Sequence, residues 1–161
     1  MTTSRHLAAP FAAALALLAA AAPAIAANNA MPGTACQAAG DSPPSSLVRA
    51  GSAIINLGTG AVAIFCPVEK HLSRIVSAEV MLIDRNPNAD ISCTLLTFNR
   101  DGSTRSSSTR QSNSSFSAAL AITFPGQLAP VGVGSYGLVC VLPPSFSSGP
   151  SNIVGYIVVE Q

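Results

Sequence analysis

Apolar positions recur along this chain with a spacing of two. Val62, Ile64, Cys66 and Val68 share one side of the segment Ala61 to Val68, and Val76, Ala78, Val80 and Leu82 share one side of Ser73 to Asp84. Ile91, Cys93 and Leu95 repeat the pattern within Ile91 to Asn99. Phe116, Ala118, Leu120, Ile122 and Phe124 form the most regular run, alternating with Ser117, Ala119, Ala121 and Thr123. Side chains two apart on an extended backbone point the same way, so each run predicts a strand with one face on a core. Ile75, Glu79, Leu82 and Ile83 are also compatible with a helix, but the β-branched content and alternation of that stretch favour strand.

The rest of the chain is expected to be organised around Gly134 to Pro144. There Tyr136, Leu138, Cys140 and Leu142 alternate with Gly137, Val139 and Val141, so both faces are apolar or small, which predicts a central strand covered on both sides. Pro143 and Pro144 cannot donate ladder hydrogen bonds and end it. Leu47 to Leu57 predicts the first strand, Gly58-Thr59-Gly60 a hairpin turn into Ala61 to Val68, and Ile153 to Glu160 the last strand. Turn residues crowd Asp84 to Asp90, Asp101-Gly102, Pro125-Gly126, Pro130 and Ser145 to Ser151, while Glu69-Lys70-His71 reads as a polar loop. Ser103 to Ser115, nearly all Ser and Thr, predicts a solvated edge hairpin or a mobile loop. About eight short strands, with no helical pattern after the first residues, predict an all-β chain folded as an antiparallel β-sandwich or jelly roll.

Residues 1–26 have a different character. Arg5 gives a positive start, Leu7 to Ala22 is an Ala/Leu run, Pro23 breaks it, and Ala24-Ile25-Ala26 fits a small-x-small cleavage site. This predicts a bacterial secretory signal peptide and a secreted or periplasmic product. The run is shorter than the ~20 residues a membrane span needs, and no later segment is long and apolar enough to span. Gly33-Thr34-Ala35 before Cys36 does not make a lipoprotein signal. Residues 27–46, rich in small residues, Asn, Pro and Gly, are expected to form an extended lead-in tethered only through Cys36, followed by a β-sandwich domain over 47–161.

Without Arg5, seven basic residues face seven acidic ones, so no basic stripe exists for nucleic acid or an anionic membrane. Cys36, Cys66, Cys93 and Cys140 all follow the leader. An even number in an oxidising compartment predicts two disulfides, whereas wide spacing and His71, the one histidine after the leader, argue against zinc. Of three pairings, Cys93–Cys140 with Cys36–Cys66 is expected: Cys93 shares a face with Ile91 and Leu95, and Cys140 with Leu138 and Leu142, so both point to the core.

Phe65-Cys-Pro-Val68, Ile91-Ser-Cys-Thr-Leu95, Tyr136-Gly-Leu-Val-Cys-Val-Leu-Pro-Pro144 and Tyr156-Ile-Val-Val-Glu160 resemble a recurring kind of small secreted bacterial protein. Its members carry a signal peptide, four similarly placed cysteines and a Cys-x-Leu-Pro-Pro-like segment. The resemblance implies a secreted, disulfide-bonded β-domain and brings no activity with it.

Candidate chemistry is sparse. Asp84, Asn86, Asn88 and Asp90 place oxygens at alternate positions, as a calcium loop does, although Ala89 and Leu95 stand where an EF-hand needs Gly and a carboxylate; an Asx/Pro turn explains the same residues. Glu69, Lys70 and His71 contain an acid and a base but no adjacent nucleophile, and the other carboxylates are scattered, so an enzyme is not expected. Arg100, Arg105 and Arg110, set among Ser and Thr, suit an anionic or hydroxylated ligand, or the guarding of a sheet edge. There is no Trp, Tyr136 is expected in the core, and Tyr156 is the expected exposed ring. The reading is a secreted, non-catalytic module that binds a glycan or other surface ligand without a cofactor. A structural or interaction subunit of the envelope, or of an adhesive assembly, is the alternative.

Overall fold

The computed structural model describes residues 27–40, 44–69, 71, 74–113, 119–127 and 134–161; the leader expected at residues 1–26 lies outside them. Among the described residues the chain forms eleven strands: β1 (Ala27–Pro32), β2 (Gln37–Ala38), β3 (Leu47–Ala50), β4 (Ala53–Asn56), β5 (Val62–Val68), β6 (Ile75–Ile83), β7 (Ser92–Phe98), β8 (Thr104–Gln111), β9 (Leu120–Pro125), β10 (Ser135–Leu142) and β11 (Asn152–Glu160). They build an antiparallel sandwich. One sheet runs β3-β4-β11-β6-β9 with β1 also on β11, and the other runs β2-β5-β10-β7-β8. No described helix is long and apolar enough to cross a membrane.

The alternating apolar positions meet between the sheets, as the period of two requires. Ile64, Cys66, Leu95, Leu138, Cys140 and Leu142 from one sheet pack against Ile54, Val80, Leu82, Phe124, Ile153 and Tyr156 from the other, all fully or nearly fully buried. At about 1.5–3 kcal/mol for each large apolar side chain taken out of water, this layer is the main stabilising term. β10 is the middle strand of its sheet. Its outer face, however, is not covered by a further layer: Gly137 and Val139 are only flanked by neighbouring side chains, and Val141 is 40% exposed. With two layers only, a central strand still has one face toward solvent.

The expected disulfides are both present, Cys36–Cys66 and Cys93–Cys140. Cys140 stands directly opposite Cys93 in the β10–β7 ladder, with Cα atoms 4.0 Å apart. Beyond Pro143-Pro144 the chain is held by two buried amides. Asn56 Nδ2 donates to the carbonyls of Pro143 (2.8 Å) and Gly60 (2.9 Å), and Asn86 Nδ2 to that of Pro144 (2.9 Å). They satisfy the proline carbonyls, which lose their ladder partners where β10 ends.

The lead-in departs from expectation. It is not tethered at Cys36 alone: β1 pairs with β11 over six residues, and β2 pairs with β5. Gly33, between them, lies so close to the Ile153 carbonyl that an added Cβ would sit 2.1 Å from its oxygen. Leu47 to Leu57 is not one strand but the β3–β4 hairpin, bent at Gly51, whose φ of 59° suits glycine. Gly58-Thr59-Gly60 does not close a hairpin either, because β4 and β5 belong to different sheets. Ser103 to Ser115 contributes β8, a full edge strand, and of the run ending at Phe124 the described part forms β9 while Phe116 and Ala118 lie outside the described residues.

Tyr156 is the clearest correction. A bulge between Ile153 and Gly155 shifts the alternation by one, turning Tyr156 inward with Ile153 and leaving Ile157 outward. Its hydroxyl donates to the Pro67 carbonyl at 2.5 Å, joining the two sheets. Burial, and then the Glu69 carboxylate, push its pKa from 10.0 up to about 12. The folded state therefore favours the neutral phenol. Stability is expected to be unaffected by this group below pH 10 and to fall as pH rises from there towards 12. Melting temperature against pH checks this, and Tyr156→Phe should remove much of the alkaline slope; an unchanged slope would show that the phenol is not responsible.

Candidate functional site

The outward face of the five-stranded sheet is where partly buried rings and hydroxyls come together. Residues directly opposite in antiparallel ladders share a face, so the register defines rows across the sheet. Gln37, Phe65, Val139, Thr94 and Thr109 form one row across β2-β5-β10-β7-β8. Pro67, Gly137, Leu96 and Ser107 form the next, and Ser135, Phe98 and Thr104 the one beyond. The centre is apolar and the margins are polar. On one margin the Thr94 and Thr109 hydroxyls are 2.9 Å apart, and on the other Gln37 is exposed.

Gly137 is the reason the centre has its shape. Phe65 and Phe98 stand diagonally on either side of it, on β5 and β7, and both rings lean over its backbone. A Cβ there would lie 2.8 Å from Phe65 Cε2 and 3.1 Å from Phe98 Cε2. Only a residue without a side chain lets the two rings converge, which is the use of a glycine inside a strand. Val139 and the 40%-exposed Val141 extend the apolar strip along β10.

At its Phe98 end the strip runs into the β7–β8 turn. Asn99, Arg100, Asp101 and Arg105 line an open depression of about 590 Å³ there. The turn is held by Asn99 N–H to the Ser103 carbonyl (2.8 Å) and Gly102 N–H to the Asn99 carbonyl (3.0 Å). Asp101 Oδ1 accepts from the Ser103 hydroxyl (2.6 Å) and amide (3.0 Å), and these bonds hold its carboxyl below the usual range. The carboxylate is thus committed to Ser103. Arg100 and Arg105 are exposed and have no ion-pair or hydrogen-bond partner among the described residues.

The three arginines singled out from the sequence, Arg100, Arg105 and Arg110, are not one group. Arg110 stands opposite Cys93, on the core-facing side of edge strand β8, with Nη1 on the Thr109 carbonyl (3.3 Å). Tyr156 is buried between the sheets and does not join the arginines. The Asp84 to Asp90 series folds as consecutive Asx turns, Asn86 N–H on Asp84 Oδ1 and Asn88 N–H on Asn86 Oδ1. Asp84 is buried, and its two oxygens accept from Asn86 N–H, Ile91 N–H and the hydroxyls of Ser112 and Ser151. That fills the four acceptor positions of a carboxylate, so a cation would have to displace protein donors. Asn88 is exposed, and no three His, Cys, Asp or Glu side chains among the described residues are grouped to hold a metal.

His71 Nε2 lies 3.4 Å from Glu69 on an exposed rim, and all four cysteines are in disulfides, so no thiol accompanies this acid–base pair. A second depression, between edge strands β8 and β9, is lined by Arg74, Ser106 and Gln127 among others. Its polar groups answer one another, Ser106 Oγ donating to Gln127 Oε1 at 3.1 Å.

Phe65, Gly137 and Phe98 are the residues that the sequence reading passed over. The signal was present. Phe65 has the opposite parity to Ile64, Cys66 and Val68, Phe98 the opposite parity to Cys93 and Leu95, and Gly137 interrupts an otherwise bulky strand.

No protein-family model matches the chain, and no curated protein matches it. Among solved structures it is similar to a low-affinity xylan-binding module, CBM86, from the gut symbiont Roseburia intestinalis. The two are 8% identical, with 82% of this chain and 94% of the module covered at a TM-score of 0.52. A module from Clostridium stercorarium, CsCBM6-3, solved with cellobiose, aligns with 14% identity over 83% of this chain and 94% of its own at a TM-score of 0.48. At such identities the likeness to the xylan-binding module is one of fold: this chain is a two-sheet antiparallel β-sandwich of the same architecture.

Proposed function

We propose that the protein is a non-catalytic carbohydrate-binding module acting outside the cytoplasm, and that sugar rings dock on the outer face over Phe65, Gly137 and Phe98. The observation that carries this is the convergence of two partly exposed rings on a glycine, with hydroxyl and amide groups on both margins. Sugar rings are apolar on the faces that carry C–H bonds and polar at their edges. A strip with an aromatic centre and Gln37, Thr94, Ser107 and Thr109 beside it presents matching chemistry. Two phenyl rings without Trp predict weak binding, with Kd on the order of 0.1–1 mM, or about −4 to −5.5 kcal/mol. The paired disulfides favour an oxidising compartment, and use of the fold for xylan binding in CBM86 makes xylo-oligosaccharides the first ligands to try.

The test is NMR titration of the oxidised protein with soluble xylo-, cello- and galacto-oligosaccharides. Shifts should centre on β5, β7 and β10. Phe65→Ala and Phe98→Ala should each weaken binding by about tenfold with little loss of stability, because both rings lie outside the core. Unchanged affinity in the double variant would end this reading. Self-association that rises with concentration and disappears with the same substitutions would favour the interaction-subunit alternative, for which the exposed Val141 is the supporting observation.

A further inference from the structure

We infer that Arg100 and Arg105 form an anion subsite at the Phe98 end of the strip, and that the natural ligand is an acidic glycan whose carboxylate is held there. The inference rests on the carbohydrate-binding reading and narrows it to a ligand class. Three features carry it.

The first is position. Arg100 follows Phe98 by two residues in a turn closed by main-chain hydrogen bonds, and it lines the same depression as Arg105.

The second is the bulge. Phe98 pairs with Thr104 while its neighbour Thr97 pairs with Ser106, which leaves Arg105 as the extra residue of β8. An inserted residue breaks the strand's alternation and re-aims its side chain. Arg105 thereby has no ladder partner of its own beside the turn that carries Arg100, and the two line one depression.

The third is charge. The one carboxylate in the depression, Asp101, is bonded to Ser103 on one oxygen through two donors, and its pKa is lowered by those bonds. Neither guanidinium is neutralised by a partner among the described residues, so the depression keeps two cations against one anion. Guanidinium forks match the planar oxygens of a carboxylate, and a uronic acid places such a group on the edge of a sugar ring whose face can stack on Phe98.

The experiment compares an oligouronide with its methyl ester, the same backbone with its charge masked, by NMR titration at low and high salt; a sulfated hexose oligosaccharide is the third ligand. The acid should bind wild-type protein about tenfold more tightly than the ester at low salt, and the preference should shrink at high salt. Arg100→Gln with Arg105→Gln should abolish the preference while leaving the ester's affinity unchanged. Preference for the sulfated ligand over the oligouronide would overturn the carboxylate assignment. Equal affinity of acid and ester, or a preference surviving in the arginine variant, would overturn the subsite while leaving the strip intact. Loss of ester binding in Phe65→Ala with Phe98→Ala tests the strip separately, and no binding of any ligand would overturn both.

Discussion

Replacing Asp84 with alanine is expected to lower stability by about 3–5 kcal/mol, the sum of several buried neutral donors losing one charged acceptor. Asp84 is 1% exposed and receives four donors from three parts of the chain: the amides of Asn86 and Ile91 and the hydroxyls of Ser112 and Ser151. Ser151 Oγ, 2.9 Å from Asp84 Oδ1, also accepts from Arg85 N–H at 3.0 Å, so the carboxylate fastens the β6–β7 turn to the approach of β11 and the exit of β8. Alanine leaves Asn86 N–H and the two hydroxyls without that acceptor in a dry site, each at about 1–3 kcal/mol unless water enters, while Ile91 N–H keeps Ser112 Oγ at 2.8 Å. Asparagine should be milder, about 1–2 kcal/mol, because a serine hydroxyl can turn and accept from the new amide, leaving a backbone N–H as the main loss. Urea denaturation of the three proteins checks the order. Equal midpoints for wild type and Asp84→Ala would show that the carboxylate is not the fastening inferred here.

Removing the Cys93–Cys140 bridge should cost a similar amount. The two residues are 47 apart in sequence, and the chain-entropy model gives about 4 kcal/mol for closing a loop of that size. Against the roughly 5–15 kcal/mol that holds a typical domain, this is a large share. Cys93→Ala with Cys140→Ala also leaves small voids in a fully buried layer, which adds to the loss. The expected result is a denaturation midpoint well below that of wild type, with the strand content of any surviving folded fraction intact. A drop of under about 1 kcal/mol would show that the bridge adds little to what the packing and ladder around it already supply.

The layer structure was legible from sequence because side chains two apart share a face, and Val62 to Val68 and Ile91 to Leu95 repeat in that phase. Tyr136 to Leu142, apolar or small on both faces, instead read as a strand covered twice, whereas the two-layer sandwich leaves its Val141 side open. The cysteine pairing followed from the same rule, since Cys93 and Cys140 sit in phase with the leucines around them. Where the rule failed, a local feature had changed the phase or the partner. The bulge before Gly155 turned Tyr156 inward. For Asp84 to Asp90 the sequence left both a calcium loop and an Asx turn open, because alternate oxygens are common to the two; the structure shows the Asx turns, with four protein donors on Asp84.

Residue type and spacing along single strands were enough to read an all-β chain whose alternating apolar positions face a core and whose cysteines join two by two. Which strands lie side by side was decided only by the tertiary structure, since pairing energy belongs to contacts between segments distant in sequence. That ordering brings β5, β10 and β7 together, and so places Phe65 and Phe98, 33 positions apart, over the one glycine that leaves room for both.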